Sequence, residues 1–342
     1  MTCFYEDTNR LVCLRHPEWA IDSVIGRTLY PSEAIVVTGF WRSGTTWLLQ
    51  SIARARNAKP ILEPLYSEFA PYRTSVLSST YGLDLRRSFR IPLMPYADKH
   101  FEKGSPLRAY IRRALVSSIS GVYPRTPRYD AENKLGINGT WGKIAHRLRE
   151  AMRTRVAVKF TRAHFLIPAI RNEFGPTILH IRRDPRAVVA SILRTNWQWP
   201  ADLSLVEQLL EVGDGREQLF REDADALRKL NRRGIAARLT GYWVCVERYV
   251  RQLEDEGMVI PVRYERLVRH GADYLARVLP EETETTKDFL AEESASTQSE
   301  RKDVSREKRL YGWKNELSSR NIEQVNRALD VLGSDFHDEY GM

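Results

Sequence analysis

The chain has 342 residues, 42% hydrophobic and 28% charged, with a formal net charge of +9. That length holds one large α/β domain or two ordinary ones with an ample core, and the composition excludes a fibrous or disordered chain. Three cysteines, Cys3, Cys13 and Cys245, are too few and too scattered for a disulfide framework or a zinc site, and the basic balance favours an anionic ligand unless it is only a solvated face.

Residues 1–33 read as a helical or irregular lead-in. Glu6, Asp7 and Arg10 interrupt its apolar residues, so no signal peptide is expected, and with few cysteines a reducing, cytoplasmic compartment fits. No apolar run reaches the length of a membrane span. The Asn138-Gly139-Thr140 sequon then reads as a chance match.

The first buried strand is expected at 34–39, an apolar run bounded by Pro31 and Gly39. It ends in Gly39-Phe40-Trp41-Arg42-Ser43-Gly44-Thr45-Thr46-Trp47-Leu48. A helix follows from about Gly44 to Asn57, carried by Leu48, Leu49, Ile52 and Ala53. A strand that opens through a glycine-framed loop into a helix is a phosphate-binding unit. The two glycines have the spacing of a nucleoside-triphosphatase loop, yet Thr45 stands where the phosphate-reaching Lys would be, and the loop's cation is Arg42. The loop fits a phosphorylated donor other than ATP or GTP.

A second strand is expected at 59–64, beside the first, with Glu63 at its end and Pro64 closing it. Residues 65–150, rich in Tyr, Arg, Ser and Pro with a helical patch at 106–119, read as a variable lobe over the site. Val156 to Phe160 is the third strand, and a helix is expected at 164–174. The fourth strand, 177–181, runs into Arg182-Arg183-Asp184-Pro185, with Asp184 as N-cap of a helix at 185–194. Ser191 lies two helical turns beyond Arg183, where it can share a ligand with that strand-end arginine. Arg suits bidentate phosphate recognition, so this is a second candidate phosphate site, unless the arginine is only paired to the capping Asp184.

Residues 196–232 read as a polar insertion, 234–256 as a long helix and 259–264 as the fifth strand. Residues 281–309 are acidic first and then basic and read as a mobile flap, which extends to 315, ahead of an amphipathic helix at 318–332. Strands separated by helices predict an α/β fold, a parallel sheet with helices on both faces, in a single domain spanning 1–342.

The loop and the Arg183 segment together resemble the sulfotransferases that use 3′-phosphoadenosine 5′-phosphosulfate (PAPS), which implies the P-loop-like sulfotransferase fold. Arg42-Ser43-Gly44-Thr45-Thr46-Trp47 is similar to the family's 5′-phosphosulfate loop, and Arg183-Asp184-Pro185 with Ser191 to its 3′-phosphate segment. Arg306 to Asn315 is similar to the family's C-terminal flap, with Glu307 and Lys308 departing from its pattern, so Arg306, Lys308 and Arg309 share the candidacy for the 3′-phosphate. Val262-Arg263-Tyr264-Glu265-Arg266-Leu267 is similar to another strand end of the family.

The resemblance implies roles. Arg42, carbohydrate-type where the cytosolic branch has Lys, would neutralise charge on the oxygen that the sulfuryl group leaves. Ser43, Gly44, Thr45 and Thr46 would hold the 5′-phosphate, Trp47 would stack on adenine, and Lys159 would face the sulfuryl group. For the general base, the family offers a Glu after the second strand, here Glu63, or a His after the strand of Lys159; Thr161 and Arg162 stand nearest that place, His164 comes next, and His100 and His146 of the lobe are the remaining candidates. The expected product is adenosine 3′,5′-bisphosphate (PAP), with no metal required. The expected partner is a small-molecule or carbohydrate acceptor, a polar natural product among them, sulfated at a hydroxyl or an amine. Oligomeric state stays open. The alternatives are a P-loop kinase, which lacks its Lys and a magnesium-binding strand-end Asp, and a basic nucleic-acid-binding protein, whose charge would run as a stripe rather than gather at strand ends.

Overall fold

A computed structural model describes residues 28–81, 92–117, 152–195, 197–279, 305–333 and 336. The sequon at 138–140, Cys3, Cys13 and most of the expected flap lie outside the described residues.

Five strands form one parallel sheet: β1 (Ile35–Thr38), β2 (Lys59–Leu62), β3 (Val156–Phe160), β4 (Thr177–Arg182) and β5 (Ile260–Arg263), in the order β2-β3-β1-β4-β5. The α/β class and the parallel sheet stand as the sequence predicts. One neighbour relation differs. β2 pairs with β3, not with β1, and β3 lies between them with Ile35 opposite Ala157 and Ile61 opposite Val158. The chain leaves β1 outward to the edge and returns to fill the gap, then crosses β1 to β4, so strand order reverses at β1. Ligands of open α/β sheets bind outside the carboxyl ends of the strands at such a reversal.

The helices are α1 (Thr45–Ala55), α2 (Pro106–Leu115), α3 (Ile167–Phe174), α4 (Pro185–Leu193), α5 (Ile235–Asp255), α6 (Tyr264–Val278), α7 (Arg306–Tyr311), α8 (Trp313–Glu316) and α9 (Ser319–Val331). The strands read as unbroken apolar runs because both faces are covered. On one face Ile35, Val37, Leu179 and Ile181 pack with Leu48, Leu49 and Ile52 of α1 and Leu267 and Leu275 of α6. The alternate residues Val36, Val158, Phe160 and Ile178 pack on the other face with Ile111 of α2, Ile167 and Ile170 of α3 and Val250 and Leu253 of α5.

Boundaries follow local chemistry. The Asp184 carboxylate accepts from the Arg186 backbone N–H and Pro185 opens α4, as expected of a cap and a first-turn proline. Gly175 ends α3 at φ 66, and its N–H donates to the Arg171 carbonyl.

The expected polar insertion at 196–232 is a correction. It forms short helices, Trp199–Asp202, Leu205–Leu209, Arg216–Phe220 and Ala224–Asn231, and buries Leu205, Leu209, Phe220, Leu227 and Leu230 against α5. Its apolar residues are too interspersed with charge to stand out as one run, yet helix periodicity gathers them on one side. The described parts of the lobe also pack as core: Tyr72 and Tyr110 are buried and tilted against each other, and the Tyr110 hydroxyl donates to the Pro64 carbonyl.

Candidate active site

The loop between β1 and α1 is tight because two glycines stand where side chains do not fit. A Cβ on Gly39 would lie 2.5 Å from the Ile181 carbonyl oxygen, and one on Gly44, at φ 95, would lie 2.7 Å from the Tyr264 ring. Four non-glycine residues among those described adopt positive φ, and two of them are Arg42 (φ 69) and Glu63 (φ 46). Left-handed backbone at non-glycine residues is held by its surroundings and concentrates at functional sites.

Within the loop Ser43 is fully buried, and its Oγ has no hydrogen-bond partner. An orphaned buried hydroxyl beside the N-terminus of an eleven-residue helix suits an incoming anion. Thr46 Oγ1 accepts from Lys159 Nζ at 2.8 Å. Arg42 Nε donates to Ser191 Oγ at 2.9 Å, which links the loop to α4.

Glu63, one residue beyond β2, reaches the loop through the intervening strand. Its Oε1 lies 3.0 Å from Lys159 Nζ, and its Oε2 accepts from Thr161 Oγ1 at 2.7 Å, with Arg162 Nη1 at 3.6 Å. Burial pushes the Glu63 carboxyl up, but Lys159, Arg162 and the Thr161 hydrogen bond outweigh it and hold the group below its ordinary value. Glu63 is therefore a carboxylate at neutral pH. Lys159, Thr46, Glu63, Thr161 and Arg162 make one continuous cluster at the carboxyl ends of β1, β2 and β3.

Arg183 follows β4. Its guanidinium donates to the Arg42 carbonyl at 3.0 Å and the Arg309 carbonyl at 3.2 Å and lies 4.3 Å from the centre of the Tyr264 ring. No carboxylate pairs with Arg183 among the described residues; Asp184 pairs instead with Arg186, at 2.7 Å. The alternative reading of this arginine as the partner of the cap is thereby corrected. The half-buried Glu265 carboxyl accepts from the Asp184 backbone N–H and feels the charge of Arg183, which favours its ionised form against burial, but it makes no ion-pair contact with the guanidinium, so an anion there would gain a direct partner. Ser191 Oγ also accepts from Arg194, at 3.3 Å, and Arg194 pairs with Glu316 of α8, so the C-terminal helices are tied to this corner.

Other expected residues stand apart. His164 is fully buried, and its ring packs edge-on against His180 at 5.4 Å. Burial, then His180, lowers its pKa to about 3, so it is neutral and enclosed rather than placed with Glu63 and Lys159. Trp47 is 8% exposed and meets Tyr264 edge-on at 6.0 Å. In α7 Arg309 touches Arg183 through its backbone, while Arg306 and Lys308 are exposed. The segment 280–304 is outside the described residues. Sequence reading did not foresee that Thr161 and Arg162 contact Glu63; their place just past a parallel strand was the available signal. No group of three or more His, Cys, Asp or Glu side chains among the described residues is arranged to hold a metal, and no described helix is long and apolar enough to cross a membrane.

A sulfotransferase family model matches residues 34–282. No curated protein sequence matches the chain. Among solved structures the chain is similar to a sulfotransferase domain from the curacin biosynthetic pathway, at 13% identity and a TM-score of 0.42, over 88% of this chain and 97% of that one. It is also similar to retinol dehydratase in complex with androsterone and the inactive cofactor PAP, at 12% identity and a TM-score of 0.32, over 90% of this chain and 82% of that one.

Proposed function

We propose that this chain, which belongs to the sulfotransferase family, moves a sulfuryl group from PAPS to a hydroxyl or amine of a carbohydrate-like or polar natural-product acceptor. The observation that carries the donor assignment is Arg183. It is a strand-end guanidinium with no described carboxylate in ion-pair contact, Glu265 acting on it only from a distance, and it donates to the Arg42 carbonyl of the phosphate loop. A donor with one phosphate at the loop and a second at Arg183 and Ser191 uses both places. PAPS has that form, and ATP does not.

PAPS supplies a sulfuryl group on a phosphate leaving group. The chain's residues supply the rest. Glu63 takes the proton of the acceptor hydroxyl as its oxygen bonds to sulfur. The bond from sulfur to the bridging oxygen breaks, and that electron pair stays on the 5′-phosphate. Arg42 and Lys159 neutralise the charge gathering there, so the reaction needs no metal for that purpose. Thr161 and Arg162 hold Glu63 ionised and aligned. Ser43, Gly44, Thr45 and Thr46 hold the 5′-phosphate, with Trp47 and Tyr264 beside the nucleotide. Arg306, Lys308 and Arg309 lie on the segment that closes over the 3′-phosphate.

The test is label transfer from radiolabelled PAPS across a panel of alcohols, glycosides, phenols and amines. Label should appear in an acceptor with PAP as co-product, without added metal. Phosphorylation of the panel from ATP and magnesium instead would contradict the assignment.

A further inference from the structure

Most large apolar side chains near the site are buried, but Tyr66 and Trp197 are 36% and 41% exposed. Each lies over a cation of the site. Tyr66 is 5.1 Å from Arg162, the partner of Glu63, and Trp197 is 5.9 Å from Arg42. The space between them is bridged by tilted rings and a cation: Trp197 meets Trp199 at 6.3 Å, Trp199 meets Trp41 at 4.9 Å, and Trp41 lies 5.6 Å from Arg162. Residues far apart in sequence thus form one arc from the phosphate loop to the base. Trp41 is the anchored middle, packed against Phe40 and Tyr242, and the two ends are open.

We propose that this arc is the acceptor rest, and that it takes an uncharged, hydroxyl-bearing ring lying on Tyr66 or Trp197. The inference rests on the sulfotransferase reading above. Open aromatic faces favour the C–H face of a sugar or the face of a phenol, and the polar edge of such a ring then meets Glu63. Charge argues for a neutral ring. Among the described residues Lys159 and Arg162 share a single carboxylate, Glu63. Their surplus positive charge is matched by the sulfonate of the donor. The guanidinium of Arg162 lies over the Trp41 and Tyr66 rings and within ion-pair distance of Glu63, so it is already engaged rather than held ready for an acidic acceptor.

The experiment uses the full chain loaded with PAP and three probes: methyl β-glucopyranoside, methyl β-glucuronide and phenol. Saturation-transfer NMR reads their binding. At least one neutral probe should bind tenfold or more tightly than the glucuronide, and the pattern separates a sugar site from a phenol site. Tyr66→Ala and Trp197→Ala should each weaken the bound neutral probe about tenfold, while PAP affinity stays within about twofold and so reports an intact fold. Tyr66→Phe should retain the probe, because the ring and not the hydroxyl is required. Preference for the glucuronide, or neutral binding untouched by both alanine variants, would overturn the proposal, as would a PAP-loaded protein that binds none of the probes. Failure to bind PAP at all would overturn the donor reading instead.

Discussion

Arg182 and Arg183 are neighbours at the end of β4 and point into different worlds. Arg182 is 1% exposed; its Nε donates to Glu247 at 2.6 Å and its Nη2 to Glu254 at 2.9 Å, while His180 shares the Glu247 carboxylate at 2.8 Å. Burial pushes Glu247 up, but His180 and Arg182 bring its pKa down to about 2, so this enclosed carboxyl is ionised. Arg183 has two carbonyls and a tyrosine face and no described carboxylate in contact, with Glu265 acting on it only from a distance. Alternation along a strand sends consecutive side chains to opposite faces, so one residue step separates them. Two like residues acquire unlike work from their surroundings: Arg182, in contact with two carboxylates, fastens β4 to α5, and Arg183, in contact with none among the described residues, is the one proposed to meet the donor.

The largest effect should come from Glu63, the only described carboxylate on the open side of this division that touches Lys159. Glu63→Gln keeps the shape and removes the basicity. Turnover should fall about 1,000-fold with PAP affinity nearly unchanged. Loss of PAP binding in step with turnover would make Glu63 structural, like Glu247. Arg42→Ala and Lys159→Ala should each lower kcat about 100-fold or more, with donor affinity changing less, if both act on charge that develops during transfer. A loss confined to KM would place them among the binding groups.

The two neighbouring arginines give the sharpest contrast. Removing Arg182 strands a buried carboxylate, which costs about 3–5 kcal/mol, so Arg182→Ala should show mainly as early denaturant unfolding. Arg183→Ala should unfold near the parent midpoint while PAP affinity drops roughly 10- to 100-fold, the scale of a charge-assisted hydrogen bond or two. Equal destabilisation by the two variants would erase the division.

The smallest effect belongs to His164 on the closed side. Its folded pKa of about 3 lies below the ordinary 6.5, because burial and His180 disfavour the charged ring. Stability from keeping it neutral is complete above 6.5 and is lost as pH falls toward 3, because the unfolded chain takes up the proton first. His164→Phe should flatten that part of the stability-against-pH curve, read by urea midpoints. An unchanged slope would show that His164 titrates normally.

Much of this division was legible in sequence, and the reason is locality. Gly39 and Gly44, the cap at Asp184 and the position of Arg183 are specified within a few residues. Glu63 and Lys159 were legible as strand ends. Strand order was not: apolar runs fix both-faced burial but not neighbours, so β2 was expected beside β1, where β3 lies. His164 follows Lys159 closely and looked available, but the short helix carrying it turns the ring into the core. Nothing local marks Glu247 as the partner of Arg182, 65 residues away along the chain. The arc of Trp41, Trp199, Arg162 and Tyr66 likewise exists only once four segments meet.

The most direct test of the central claim is calorimetry of PAP against AMP on the parent protein and on Arg183→Ala. If Arg183 holds the 3′-phosphate, the parent should bind PAP far more tightly than AMP, and Arg183→Ala should close most of that gap while leaving AMP affinity little changed. Equal affinity of the parent for PAP and AMP would contradict the account.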